Sequence, residues 1–268
     1  MTNWKDLLHP GDASDFFARR PMPPFNPATL SYSRANARWL AELSRLAYRH
    51  DHEETDHPPQ PTQTRFLEKA GCTHRQFFFS RDTDTQALLV QFDHAIPFAV
   101  LVFRGTEQHV QDYVTDLNLG KLRQSDGKVD THRGFTRALD SVWEEIEQAL
   151  KRLDRPVFYT GHSLGAALAM LATARLRPAA LYTFGSPRVG DDDFARQLAD
   201  FEARIHRLVH GDDLVTKVPP EDLGFRHVGR EVKLESPPAR NWLQKIADWF
   251  RPPKALADHA PVNYVDKA

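Results

Sequence analysis

One cysteine, Cys72, stands in the 268-residue chain, so no intramolecular disulfide can form. Charge of neither sign is in excess. The 35 Lys and Arg oppose 36 Asp and Glu, and a net charge of −1 argues against a nucleic-acid partner. No apolar run approaches the roughly 18 residues that a membrane span needs. The longest, around Leu164 to Ala174, is alanine-rich and reads as a buried helix. The start, M-T-N-W-K-D-L-L-H-P-G-D, has no basic flank followed by an apolar stretch. The missing leader and disulfides together lead us to expect a cytoplasmic protein. What is present, 41% hydrophobic and 26% charged residues, suits a globular chain long enough to bury a core.

No repeat period appears along the chain. Residues 1–33 read as a loop-rich N-terminal extension, and 34–49 as a helix with Trp39, Leu40, Leu43 and Leu46 near one face. The polar loop that follows holds His50, His52 and His57 among carboxylates. Nothing there fixes a ligand geometry, so it reads as solvated and no metal site is expected. Strand-like runs cover Phe77–Phe79, Ala87–Phe92 and Phe98–Phe103. Phe135, Leu139, Val142, Ile146 and Leu150 repeat at helical spacing. From Val157 onward the order is strand, helix, strand, helix, strand. That alternation argues for parallel strands joined by helical crossovers, with the earlier strands free to add antiparallel pairs. No linker separates two cores, so residues 1–268 are expected to form one α/β domain.

The chemistry centres on Y-T-G-H-S-L-G-A at 159–166. Gly161, Ser163 and Gly165 fill G-x-S-x-G, with an apolar strand before and a helix pattern after. Such a turn lifts a serine hydroxyl off the sheet edge and over a helix N-terminus, where developing negative charge is favoured. Serine needs a base, and the base needs an orienting acid. In α/β chains of this kind the order is serine, acid, histidine. Asp212 and Asp213 follow the strand 205–209, and only His227 and His259 come after them. His227 lies close to the run 231–234. His259 sits in a loop near the end of the chain, and that placement favours it. His162, beside the serine, reads as a packing residue. For the oxyanion, the N–H of Leu164 is one expected donor. Thr106, after the strand that ends in F-R-G-T, is the other.

These segments resemble the class 3, fungal-type triacylglycerol lipases, a family with the α/β-hydrolase fold. The likeness runs through V-F-R-G-T, D-Y-V-T-D-L at 112–117, H-R-G-F at 132–135 and G-H-S-L-G. It continues through T-F-G-S-P-R-V-G-D at 183–191, V-H-G-D-D-L-V-T-K-V-P-P at 209–220 and D-H-A-P-V-N-Y-V near the end. It spans roughly residues 35 to 265. It implies a mostly parallel central sheet with helices on both faces, Asp213 rather than Asp212 as the acid, and His259 as the base. Ala166 stands where many members have glycine. Residues 236–254 match nothing in the family and are set apart as an insertion.

The resemblance also implies a lid. Val110, Tyr113, Val114 and Leu117 form a short apolar stripe that would face the substrate. In 239–253, Trp242, Leu243, Ile246, Trp249 and Phe250 share a face flanked by basic residues. That pattern fits either packing over the site or contact with a membrane or lipid-droplet surface. The function expected is a serine ester hydrolase of lipid carboxylic esters that needs no metal or cofactor. The alternatives are a phospholipase, a short-chain carboxylesterase with the same triad, or a non-catalytic lipid-binding module.

Overall fold

A computed structural model describes residues 2–51, 57–105, 133–235 and 252–268. Its seven strands form one sheet in sequence order: β1 (Cys72–Ser80), β2 (Thr85–Phe92), β3 (Phe98–Phe103), β4 (Val157–His162), β5 (Ala180–Phe184), β6 (Ile205–His210) and β7 (Arg230–Leu234). β1, β2 and β3 pair antiparallel. β3 to β7 are parallel, with Phe103 opposite Gly161 and His162 opposite Phe184. The parallel half contains the three alternating strands from Val157 onward and extends beyond them to β3 and β7.

Strand alternation sorts the core into two layers. Along β3, Ala99, Leu101 and Phe103 face one cluster, while Phe98, Val100 and Val102 face the other. The first cluster is roofed by α4 (Arg133–Leu150) and α5 (Leu164–Arg175), the second by α2 (Arg34–Leu46) and α8 (Pro261–Lys267). α4 buries Phe135, Leu139, Val142, Ile146 and Leu150 on one stripe. Each such side chain contributes about 1.5–3 kcal/mol when fully buried. α5 is apolar all round, because it is covered by sheet and α4 together. α6 (Asp192–Gln197) starts where the Asp191 carboxylate accepts from the Asp193 and Phe194 N–H groups, both at 3.0 Å.

The N-terminal extension is loop-rich, as expected, but holds an α-helix. It opens with α1 (Trp4–Leu8), whose start is a reciprocal box between Asn3 and Asp6, both bonds 2.9 Å. Phe16 and Phe25, further along the extension, are buried in the second cluster. α3 (Gln63–Lys69), capped by Thr62, was not anticipated either. The chain closes with α7 (Lys254–Ala257) and α8, so His259 lies in the turn between them.

Candidate active site

β4 ends at His162 and α5 starts at Leu164, leaving Ser163 alone to make the reversal. Its backbone sits at φ 59°, ψ −126°. A non-glycine residue held there carries on the order of 1–3 kcal/mol of strain, which the surroundings must enforce. They do so closely. The Ser163 N–H donates to the Phe184 carbonyl of β5 at 3.0 Å, and its own carbonyl accepts from Ala166 at 3.0 Å. A Cβ on Gly161 would lie 2.3 Å from the Gly165 carbonyl, and one on Gly165 would lie 2.2 Å from that of Phe103. Both glycines are therefore required by backbone contact. The Leu164 N–H, in the first turn of α5, has no intrahelical acceptor and is positioned to hold an anion.

Asp213 and His259 meet across the C-terminal rim of the sheet. His259 Nδ1 lies 3.0 Å from Asp213 Oδ1 and 2.9 Å from Oδ2. The two side chains are 1% and 0% exposed, so water does not screen the contact. The carboxylate accepts two more bonds, from the Val215 N–H at 2.9 Å and the Tyr264 hydroxyl at 2.5 Å. Burial works against its ionisation. The His259 imidazole and these donors outweigh that, and hold the carboxyl below its ordinary range. Burial and the adjacent carboxylate push Tyr264 well above the usual phenol value, so the hydroxyl keeps its proton and donates.

A carboxylate only accepts, so His259 Nδ1 carries the proton and Nε2 presents its lone pair. Nε2 is buried and has no hydrogen-bond partner among the described residues, Ser163 Oγ included. Gly185, just after β5, completes the floor. It has φ +59°, and a Cβ there would sit 2.7 Å from Asp213 Oδ2 and 2.9 Å from His259 Nδ1.

The neighbouring candidates are placed elsewhere. Asp212 faces solvent and pairs with Lys254 at 2.9 Å. His227 donates from Nε2 to the Thr216 carbonyl at 2.8 Å. Burial, then the charge of Arg207, pushes it down to about 3, so it stays neutral and structural. Thr106, Val110, Tyr113, Val114 and Leu117 lie outside the described residues, as do 236–251 of the insertion and His52. His162 is more than packing, since both its ring nitrogens are bonded. Sequence reasoning also passed over Tyr264 and Gly185. Their signals were present, an aromatic in the last helix and a glycine directly after a strand.

Residues 100–223 match the family model for the class 3 lipases. This central part of the chain is similar to the class 3 lipases. It is 37% identical over 159 residues to secreted mono- and diacylglycerol lipase 1 of Fusarium solani, covering 56% of this chain and 47% of that one. It is 32% identical over 185 residues to secreted mono- and diacylglycerol lipase A of Penicillium camembertii, covering 64% and 59%. The chain thus spans about half the length of the curated relatives it matches. Lipase II from Rhizopus niveus has a similar structure, with a TM-score of 0.59 and 25% identity over 77% of this chain and 83% of that one. The Rhizomucor miehei lipase–propeptide complex aligns with a TM-score of 0.61 at 22% identity, over 83% and 80%, and supports the fold alone. The fold is that of the α/β-hydrolases. One expectation is overturned. Similar proteins are named as secreted lipases, which contradicts the cytoplasmic location expected from the sequence.

Proposed function

We propose that the protein is a lipase-like serine ester hydrolase with Ser163 as nucleophile, His259 as base and Asp213 as the orienting acid. The reading rests on one observation above all: a buried Asp213–His259 pair leaves Nε2 unpartnered at the rim where the strained Ser163 stands. In the reaction, Nε2 takes the Ser163 proton as Oγ bonds to the ester carbonyl carbon. The N–H groups of Leu164 and Thr106 hold the tetrahedral oxyanion. The protonated imidazole then gives its proton to the leaving alcohol as the C–O bond breaks, and water reverses the sequence on the acyl-enzyme. Asp213 fixes the tautomer and stabilises the imidazolium. None of these steps calls on a metal or cofactor.

The names of the relatives, mono- and diacylglycerol lipases, favour partial glycerides as the first substrates to try. Contact with a lipid surface through Trp242 and Trp249 is the finer part of this reading. Undiminished vesicle binding by a Trp242→Ser, Trp249→Ser variant would remove it. Layers drawn from Leu7 through Ala268 support one domain. The direct test is Ser163→Ala. It should abolish hydrolysis of emulsified monoacylglycerol and labelling by a fluorophosphonate while keeping the parent melting curve. Retained hydrolysis in that variant would end the assignment. A chain-length series of p-nitrophenyl esters separates a lipase from a short-chain carboxylesterase.

A further inference from the structure

A buried contact next to the triad has no part in that mechanism. His162 directly precedes Ser163 and is 2% exposed. Its two ring nitrogens reach two different elements. Nε2 lies 2.7 Å from the backbone carbonyl of His259, and Nδ1 lies 2.8 Å from the hydroxyl of Tyr48, just beyond α2. A carbonyl only accepts, so Nε2 carries the hydrogen and donates. Nδ1 then has a lone pair and accepts from Tyr48. Burial, followed by the adjacent His259 ring, disfavours a second proton, so the imidazole is neutral. The rings of His162 and His259 lie 4.5 Å apart. Gly105, the residue before Thr106, packs onto the same pair: its Cβ would lie 2.1 Å from the Tyr48 hydroxyl and 2.6 Å from the His162 carbonyl.

We propose that His162 is a positioning residue, which ties the backbone of His259 to the turn that carries Ser163, with the Tyr48 hydroxyl donating to its other ring nitrogen. The inference deepens the serine hydrolase reading and rests on it. The base and the nucleophile lie 96 positions apart, and each sits on a turn. A direct bond from the residue before the nucleophile to the base's own carbonyl sets the height of the imidazole above Oγ. Displacement of a reacting group by 1 Å can cost about 100-fold in rate, so a bond of this kind acts on turnover rather than on substrate affinity.

Two amides separate positioning from packing. The Nε2 of a glutamine stands near the ring Nε2 and can still donate to the His259 carbonyl. The amide of an asparagine stands near Nδ1 and cannot reach it. His162→Gln should keep kcat within about tenfold of the parent, while His162→Asn should lose about 100-fold, both with KM changed less than about threefold. Fluorophosphonate labelling rates of Ser163 should follow the same order. Equal kcat in the two folded variants, or a loss carried by KM, overturns the proposal. If either variant fails to fold, Tyr48→Phe decides. It should fold and lose about tenfold in kcat at unchanged KM, and parent-like kcat there overturns the proposal. A parent chain that neither hydrolyses esters nor takes up the probe overturns the hydrolase reading itself, and this inference with it.

Discussion

Asp213 and Glu42 are both carboxylates sealed from water, 0% and 1% exposed, yet their protons behave oppositely. Asp213, at the rim of the sheet, is held below the ordinary carboxylate range. Glu42, on α2 beneath the N-terminal extension, is pushed up to about 7, by burial first. Burial is common to the two, so the donors decide. Asp213 receives bonds from His259, Val215 and Tyr264. Glu42 has Arg45 at 3.4 Å and a backbone bond from Phe17, but that guanidinium also engages Asp15, whose own charge raises Glu42 further. A closed site keeps a charge only where several groups donate to it. The rim is built to stay ionised, and the α2 site is not.

The largest effect should come from breaking the ionised member of this comparison. Asp213→Asn keeps the volume but offers an amide that can donate to His259 Nδ1, favouring the wrong tautomer. A loss of about 10⁴-fold in kcat is expected, with the melting transition still cooperative. Asp212→Asn, one residue away and in solvent, should change kcat less than about threefold. Similar losses in both would mean that the buried pair does not orient the base.

The neutral member gives the next effect, in stability. Below about pH 4.5 the Glu42 carboxyl is protonated in folded and unfolded chains alike, and from there to about 7 only the folded chain keeps the proton. The folded state then binds more protons, so stability falls as pH rises, and the loss is complete above the folded value. A gap of this size, which already includes the opposing pull of Arg45, corresponds to on the order of 3 kcal/mol. Glu42→Gln should match the parent near pH 4.5 and exceed it at pH 8. Parallel urea-midpoint profiles for the two proteins would show that the site is not protonated.

Tyr264→Phe sharpens the donor argument from the other side. It removes one bond to Asp213 and leaves the His210 N–H, which reaches the same oxygen at 3.3 Å, without that acceptor. Hydrogen bonds to a charged group contribute about 1.5–3 kcal/mol, so a loss near 2 kcal/mol is expected in denaturant unfolding. kcat should fall by about tenfold as the carboxylate loosens.

Much of this was legible in the sequence, and the gaps have physical reasons. Ser163 stood out because a strained reversal demands Gly161 and Gly165 by backbone contact, and that demand is local. The parallel pairing of β4, β5 and β6 followed from strand–helix alternation for the same reason, whereas β3 joins the parallel part although it was grouped with the earlier strands. Asp212 and Asp213 were not separable by chain order. What parts them is the direction each side chain takes from one turn, fixed by the Val215 N–H and by a tyrosine 51 residues on. Tyr264 is 1% exposed and sits on an apolar helix face, so its sequence reads as core, which it also is. The bonds of His162 span 114 and 97 residues, and no local pattern announces them. α1 was the avoidable miss, since Asn3 and Asp6 at capping-box spacing mark its start.

The smallest effect tests what happens where solvent does reach the carboxylates. Lys254 Nζ bridges Asp212 at 2.9 Å and Asp258 at 2.6 Å, which ties the acid loop to the residue before His259. Its side chain is 57% exposed, so long-chain entropy and water offset much of the attraction. The backbone makes the same tie without it: the Asp212 N–H donates to Asp258 Oδ2 at 2.9 Å, and the Leu214 N–H donates to the Ala255 carbonyl at 3.2 Å. Lys254→Met should therefore leave kcat within about twofold and shift Tm by no more than about 3 °C, with the difference shrinking in 1 M NaCl. A tenfold fall in kcat would place the register of Asp213 and His259 under the control of a surface charge, and the contrast between buried donors and exposed ones would no longer explain the site.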